Sequence, residues 1–188
     1  MRIDEIIKSK KAHVSFEIFP PKQDMEFEAI GSFISQLASL KPDFISVTYG
    51  AGGKGPRGKT VQLASMIKES GIESLAHLTC IGSRRSDVET ISASLKENGI
   101  ENILALRGDI PEDRPADGDY RYAKELISDL DRKYFCIGAA AYPEGHINCE
   151  SMDDNIEYLY EKEQAGASFF ITQLFFDNRV YYEFREKA

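Results

Sequence analysis

Cysteine is scarce in this chain of 188 residues. Cys80, Cys136 and Cys149 are odd in number and far apart, which excludes a disulfide framework and a zinc site built from close ligand pairs. The three thiols are expected to be reduced and structural. Positive charge is short as well: 23 Lys and Arg stand against 31 Asp and Glu, a net charge of −8. A nucleic-acid partner needs a basic field, so none is expected; a small anionic ligand stays open through single cations and local dipoles. No apolar run approaches membrane-spanning length, and Met1-Arg2-Ile3-Asp4-Glu5-Ile6-Ile7-Lys8 lacks the apolar core of a signal peptide. The expectation is a cytoplasmic protein with no membrane partner. Hairpin signals, linkers and low-complexity segments are missing too, leaving one domain with enough chain to bury a full core.

What the chain does have is strict alternation of strand and helix patterns. Val14 to Phe19 alternates, with Val14, Phe16 and Ile18 on one face and Ser15, Glu17 and Phe19 on the other, until Pro20 and Pro21 stop it. Asp24 is placed to cap a helix carrying Phe27, Ile30, Phe33, Ile34, Leu37 and Leu40, which Pro42 ends. Asp43 to Tyr49 is a second strand, followed by a glycine-rich loop and a helix from about Thr60 to Ser70. Leu75 to Thr79, a helix over 87–98 and Ile103 to Leu106 follow. The stop-and-restart Glu69-Ser70-Gly71-Ile72-Glu73-Ser74 recurs as Glu97-Asn98-Gly99-Ile100-Glu101-Asn102, with glycine as the left-handed helix cap. A helix over 119–131, a strand from Tyr134 to Ala140, a helix from Met152 to Ala165 capped at Gly166 and a strand from Phe169 to Leu174 complete the pattern.

Six βα units with no hairpin predict an α/β fold with a parallel sheet covered by helices. A (β/α)8 TIM barrel needs eight units and about 250 residues. The expectation is therefore a single barrel catalytic domain over 1–188, truncated after its sixth unit with its C-terminal part missing; a six-stranded doubly wound sheet is the alternative. The truncated edges predict low stability or self-association.

In such folds the C-terminal strand ends carry the chemistry. Here they deliver Glu17, Thr48 and Tyr49, His77 and Thr79, Arg107-Gly108-Asp109, Tyr142 and Gln173, a convergence of donors, acceptors and rings that marks a site. Glu17 sits in an apolar run beside Phe19, where desolvation would suit a proton donor. No lysine closes a strand, which disfavours a Schiff-base aldolase. Gly53 to Thr60 fits the phosphate-binding expression G-x-x-x-x-G-K-[ST], but it follows the second strand, and no apolar strand other than Leu104 to Asp109 ends in a single metal-binding aspartate. A glycine loop around a flat ligand suits it better. On their own, His77 also reads as a hydrogen-bonded core residue, Lys162 as a solvated helix face, and Tyr122 and Tyr142 as packing rings. Gln173, at the end of an apolar strand, needs partners if it is buried.

Ser15-Phe16-Glu17-Ile18-Phe19-Pro20-Pro21, Ser46-Val47-Thr48-Tyr49-Gly50-Ala51-Gly52-Gly53, Ala76-His77-Leu78-Thr79-Cys80, Leu104-Ala105-Leu106-Arg107-Gly108-Asp109, Ala141-Tyr142-Pro143-Glu144-Gly145-His146 and Ile171-Thr172-Gln173-Leu174-Phe175-Phe176-Asp177 resemble, in order and spacing, the methylenetetrahydrofolate reductases. The resemblance covers the first six of that family's eight βα units. It implies a cytoplasmic homo-oligomer that binds FAD, takes hydride from NADH or NADPH, and reduces 5,10-methylenetetrahydrofolate to 5-methyltetrahydrofolate. By the same resemblance Glu17 is the general acid at the folate N10, Asp109 the acid beside flavin and pterin, and Gln173 the amide used by folate and nicotinamide in turn. Flavin positions fall on Thr48, Tyr49, Ala51, His77, Arg107, Gly108, Asp109, Tyr122, Ala123, Tyr142, His146, Asn155 and Lys162; at Asn155 the family usually carries an acid. Another barrel enzyme on a pterin or phosphate ligand, and a non-catalytic flavin-binding remnant, are the competing functions.

Overall fold

The computed structural model describes residues 1–21, 27–49, 57–110, 117–147 and 149–188. Thirteen elements follow one another as α1 (Ile3–Ser9), β1 (Ser15–Ile18), α2 (Phe27–Ser39), β2 (Phe44–Val47), α3 (Arg57–Glu69), β3 (Glu73–Thr79), α4 (Arg85–Glu97), β4 (Asn102–Leu106), α5 (Ala123–Asp129), β5 (Cys136–Ala141), α6 (Met152–Ala165), β6 (Phe169–Thr172) and α7 (Asn178–Lys187). All six strands are parallel and lie in sequence order. That order excludes the doubly wound alternative, whose strand order reverses at a switch point.

Residue alternation splits the strands' side chains between two cores. Toward the helices, Ile18, Ile45, Val47, Ala76, Leu78, Ile103, Ala105, Ile137 and Ala139 pack against helix residues such as Ile34, Leu63, Ile67 and Leu95. Toward the other face, Phe44, Leu75, Leu104, Cys136 and Phe169, one from each of five strands, converge in a single cluster with Ile3 and Ile6. Side chains from five neighbouring strands meet only where a sheet curls, so this is the wall of a partly closed barrel. Gly138 lets it close tightly, because a Cβ there would come within 2.4 Å of the Phe169 ring.

Helix α1 is an element the sequence pattern did not announce, and it plugs the N-terminal end of the lumen. Ile3 is fully buried, and its amide donates to the Asn102 side-chain oxygen at 2.9 Å. The Asn102 amide in turn donates to Met1 O and Ser74 O at 3.2 and 3.3 Å.

The glycine stops work as expected. Ile72 N bonds to Ile67 O and Gly71 N to Lys68 O; Ile100 N bonds to Leu95 O and Gly99 N to Lys96 O. With Gly71 at φ +84 and Gly99 at φ +68, both are Schellman stops. Several boundaries differ from expectation, two of them near the site. Helix α3 begins at Arg57, so Lys59 and Thr60 of the glycine-rich run lie in its first turn. Helix α5 is shorter than 119–131, because Asp119 instead accepts a hydrogen bond from Arg85 N at the start of α4. Among the described residues no helix is long and apolar enough to cross a membrane, and all three cysteines are free.

Candidate functional site

The first half of the site comes from β1, β2 and β3. Glu17 lies opposite Ser46 in the register of β1 and β2, and β3 brings His77 to the same lumen face, in line with Leu75 below it. Glu17 Oε2 is 3.5 Å from Ser46 Oγ and 3.5 Å from His77 Nε2. His77 is 7% exposed, and burial pushes its pKa down to about 4, so the imidazole is neutral at pH 7 and the contact is not an ion pair there. Nε2 is close enough for one but has no aligned hydrogen-bond partner among the described residues. The Glu17 side chain is 50% exposed. The desolvation expected beside Phe19 is therefore absent, since Phe19 itself is 71% exposed and covers nothing. Thr48 continues β2, fixed by its amide on Ile18 O and by Thr60 Oγ on its own carbonyl at 3.1 Å.

The second half comes from β4, β5 and α6. Arg107, Gly108 and Asp109 leave β4 in a turn that only glycine fits: Gly108 has φ +83, and a Cβ would meet Thr79 Cβ at 3.0 Å and Ile81 Cγ2 at 3.1 Å. Tyr142 follows β5, and its ring meets His146 edge-on at 4.7 Å. Burial raises the Tyr142 phenol, while Arg107 lowers it and Asp109 raises it. His146 is lowered by burial and then by Arg107 and Lys162, which shows that these cations share its neighbourhood. Asn155 is buried and donates to Tyr142 O at 2.9 Å. Lys162 is no solvated helix residue. Its Nζ donates to Ala140 O at 2.9 Å and lies 5.7 Å from the Tyr142 ring centre, and burial lowers its pKa. No carboxylate pairs with it among the described residues.

Tyr122 and Ala123 stand at the start of α5, where Cys80 Sγ ties the Tyr122 and Arg107 carbonyls at 3.7 and 3.8 Å. Ala123 is buried, whereas the Tyr122 ring is 56% exposed. Two expected residues are not drawn into either group. Tyr49 packs on the helix-side core. Gln173 is exposed, just beyond the end of β6 at Thr172, and its side-chain oxygen only accepts from Leu174 N at 3.2 Å, so its amide is not the buried group that would need partners. Ala51 lies outside the described residues. Ser46, by contrast, was not singled out from the sequence. Its position opposite Glu17 in a parallel pair, on the alternating face, is the signal that finds it.

Against known proteins, the family pattern described as methylenetetrahydrofolate reductase matches residues 2–188. The 5,10-methylenetetrahydrofolate reductase of Pectobacterium carotovorum is 43% identical over 181 residues, 95% of this chain and 59% of that protein. The Escherichia coli protein of the same name is 41% identical over 179 residues, 94% of this chain and again 59% of its own length. A solved structure of an uncharacterized Clostridium thermocellum protein, described as binding two copies of 5-methyl-5,6,7,8-tetrahydrofolic acid, superposes with a TM-score of 0.69 at 13% identity, covering 99% of this chain and 63% of the other. At that identity it speaks for the fold alone. The chain thus spans about three-fifths of the length of these two bacterial relatives. With the family pattern running nearly end to end over strands whose C-terminal residues form both halves of the site, the chain belongs to the methylenetetrahydrofolate reductase family.

Proposed function

We propose that residues 1–188 act as one catalytic barrel domain of a cytoplasmic, self-associating flavoprotein that uses FAD and NADH or NADPH to reduce 5,10-methylenetetrahydrofolate to 5-methyltetrahydrofolate. The observation that carries the reading is Lys162, a largely buried ammonium that bonds one backbone carbonyl and has no carboxylate partner among the described residues. A buried charge without a counter-ion is costly, and an anionic ligand over β5 relieves that cost. Arg107 extends the same positive ground in a chain of net charge −8. The tight Gly108 turn, packed on Thr79 and Ile81, fixes where Arg107 and Asp109 leave β4. These features suit a dinucleotide with a diphosphate, held by Arg107, Lys162 and the polar edges of Thr48, His146 and Asn155. When bound, FAD supplies a two-electron store that separates nicotinamide oxidation from folate reduction.

The remaining chemistry belongs to this chain's own side chains. Glu17, as general acid, gives its proton to the folate N10: an O–H bond breaks, an N–H bond forms, and the bond from the methylene carbon to N10 opens to leave an iminium ready for hydride. Asp109, exposed beside Arg107 and Tyr142, supplies the second carboxylate near the reacting rings. Gln173 has only a local bond to Leu174 N to give up, so its amide is free to turn toward whichever substrate occupies the lumen mouth.

Titrating the FAD-free protein with FAD and following the visible spectrum checks this reading. The expected result is non-covalent binding that Lys162→Met weakens roughly 10- to 100-fold, the size of one charge-assisted hydrogen bond. A protein that takes up no FAD, or a Lys162→Met variant that binds it unchanged, contradicts the reading.

A further inference from the structure

Both polar contacts to Glu17 fall on one oxygen. Ser46 Oγ and His77 Nε2 each stand 3.5 Å from Oε2, and Oε1 has no such neighbour among the described residues. We propose that Ser46 and His77 form a two-point clamp on Oε2 of Glu17, which reserves Oε1 as the oxygen that carries the transferable proton. The proposal rests on Glu17 being the general acid of the preceding reading, and it makes Ser46 and His77 positioning residues for that step.

Backbone register supports the arrangement. Ser46 faces Glu17 directly across the β1–β2 ladder, and His77 reaches the same oxygen from β3, where its own backbone is locked opposite Leu104. Ser46 is 5% exposed and His77 is 7% exposed, so neither side chain has solvent as a competing partner. The hydroxyl proton is shared between Oε2 and Phe16 O, each at 3.5 Å and at the long end of the range, and the clamp forms when it turns to the carboxyl. His77 Nε2 is buried without an aligned partner, and a turn of the exposed Glu17 carboxyl that brings Oε2 into line with the N–H gives it one. Such contacts are commonly long in free enzymes and tighten in the complex.

The chemistry requires donors of this kind. A carboxylic acid that is to give a proton from one oxygen presents the other as a carbonyl acceptor, and a hydroxyl and a neutral imidazole N–H both donate to a carbonyl. An imidazolium in the same place would hold Glu17 as its anion and spoil it as an acid. The burial that keeps His77 uncharged at neutral pH is therefore what makes it a suitable clamp. The clamp needs the imidazole proton on Nε2 whether Glu17 is protonated or ionised, so no tautomer change accompanies proton transfer. The groups facing Glu17 from the packed elements are Ser46 on β2 and His77 on β3; no other titratable side chain comes within ion-pair distance of it among the described residues.

Nitrogen-15 NMR of the imidazole rings in the ligand-free 188-residue protein at about pH 7 tests the tautomer directly. The expected result is His77 protonated on Nε2, with a resonance that moves in Glu17→Ala. Protonation on Nδ1, or a resonance indifferent to Glu17→Ala, overturns the clamp. A second measurement uses the FAD-loaded protein in single-turnover stopped flow. Ser46→Ala and His77→Leu should each slow the folate half-reaction roughly 10- to 100-fold more than the nicotinamide half-reaction, the size of a misplacement effect, and His77→Gln, which retains a donor, should recover most of the loss. Equal effects on both halves, or no rescue by glutamine, also overturn it. If Glu17→Gln itself leaves the folate half-reaction intact, the general-acid reading has failed. If Glu17→Gln acts and the clamp variants do not, only the clamp has.

Discussion

Glu17 and His77 show how far a residue's neighbours in sequence differ from its neighbours in space. The alternation in β1 correctly puts Glu17 on the lumen face, but Phe19, two residues on, is 71% exposed and shields nothing. The buried member of the pair is His77, from another strand. Apolar residues flanking a histidine do not say whether its ring nitrogens find partners, and that could be learned only from β1 and β2 placed beside it. Burial also gives His77 a measurable pH signature. With its pKa near 4 in the folded chain against 6.5 when exposed, the unfolded state binds a proton between those values that the folded state does not. The stabilising contribution is complete above about pH 6.5 and is lost as pH falls toward about 4. Each tenfold change in proton affinity is worth about 1.4 kcal/mol, so the contribution reaches about 3 kcal/mol, an upper figure because the Glu17 carboxylate favours the protonated ring. Urea melts of the wild type and His77→Gln at about pH 7 and about pH 4.5 should show the wild type losing more stability than the variant. Parallel losses would mean that His77 titrates as if exposed.

Elements were legible in proportion to how local their causes are. The glycine stops at Gly71, Gly99 and Gly166 rest on a positive φ and two short-range bonds, and all three were visible in the sequence. Helix α6, with Ser151 accepting from Asp154 N at one end and glycine at the other, has the boundaries its caps dictate. Helix α1 was hidden because its seven residues are too few to form a helix alone. Its stability comes from Ile3 and Ile6 meeting five strands in the lumen, each buried side chain contributing at most about 3 kcal/mol, and from Asn102. Similarly, Lys162 looked like a surface residue on α6 because nothing in its own helix reveals the Ala140 carbonyl that receives it. At this scale Asn102→Ala should cost about 2 kcal/mol, since it leaves the Ile3 amide buried without its acceptor. Chemical denaturation measures that directly, and a loss below about 0.5 kcal/mol would show that the plug does not depend on this side chain.

At the scale of the molecule, parallel strands in sequence order were readable because the pattern never broke, and the order β1 to β6 followed from it. How the curl brings separate strand ends together was not readable, because it depends on lumen packing such as the Gly138–Phe169 contact. The result is two groups with different charge. A neutral imidazole and a hydroxyl surround Glu17, while Arg107 and Lys162 gather around Tyr142 and His146. This separation suits proton transfer on one side of the lumen and an anionic ligand on the other. Among the described residues β1 pairs only with β2 and β6 only with β5, and Leu174 and Phe176 beyond β6 are 71% and 90% exposed, which is the apolar surface that supports the proposed self-association. The division of labour across the lumen has a kinetic consequence. Opening the methylene bridge needs a proton, whereas reduction by a nicotinamide needs only stacking and hydride geometry. Stopped-flow measurement of both half-reactions in Glu17→Gln is therefore the most direct test of the account: the folate half-reaction should slow by at least ~10²-fold more than the nicotinamide half-reaction, the usual size of a general-acid contribution. Equal losses in the two halves, or no loss in the folate half, would contradict it.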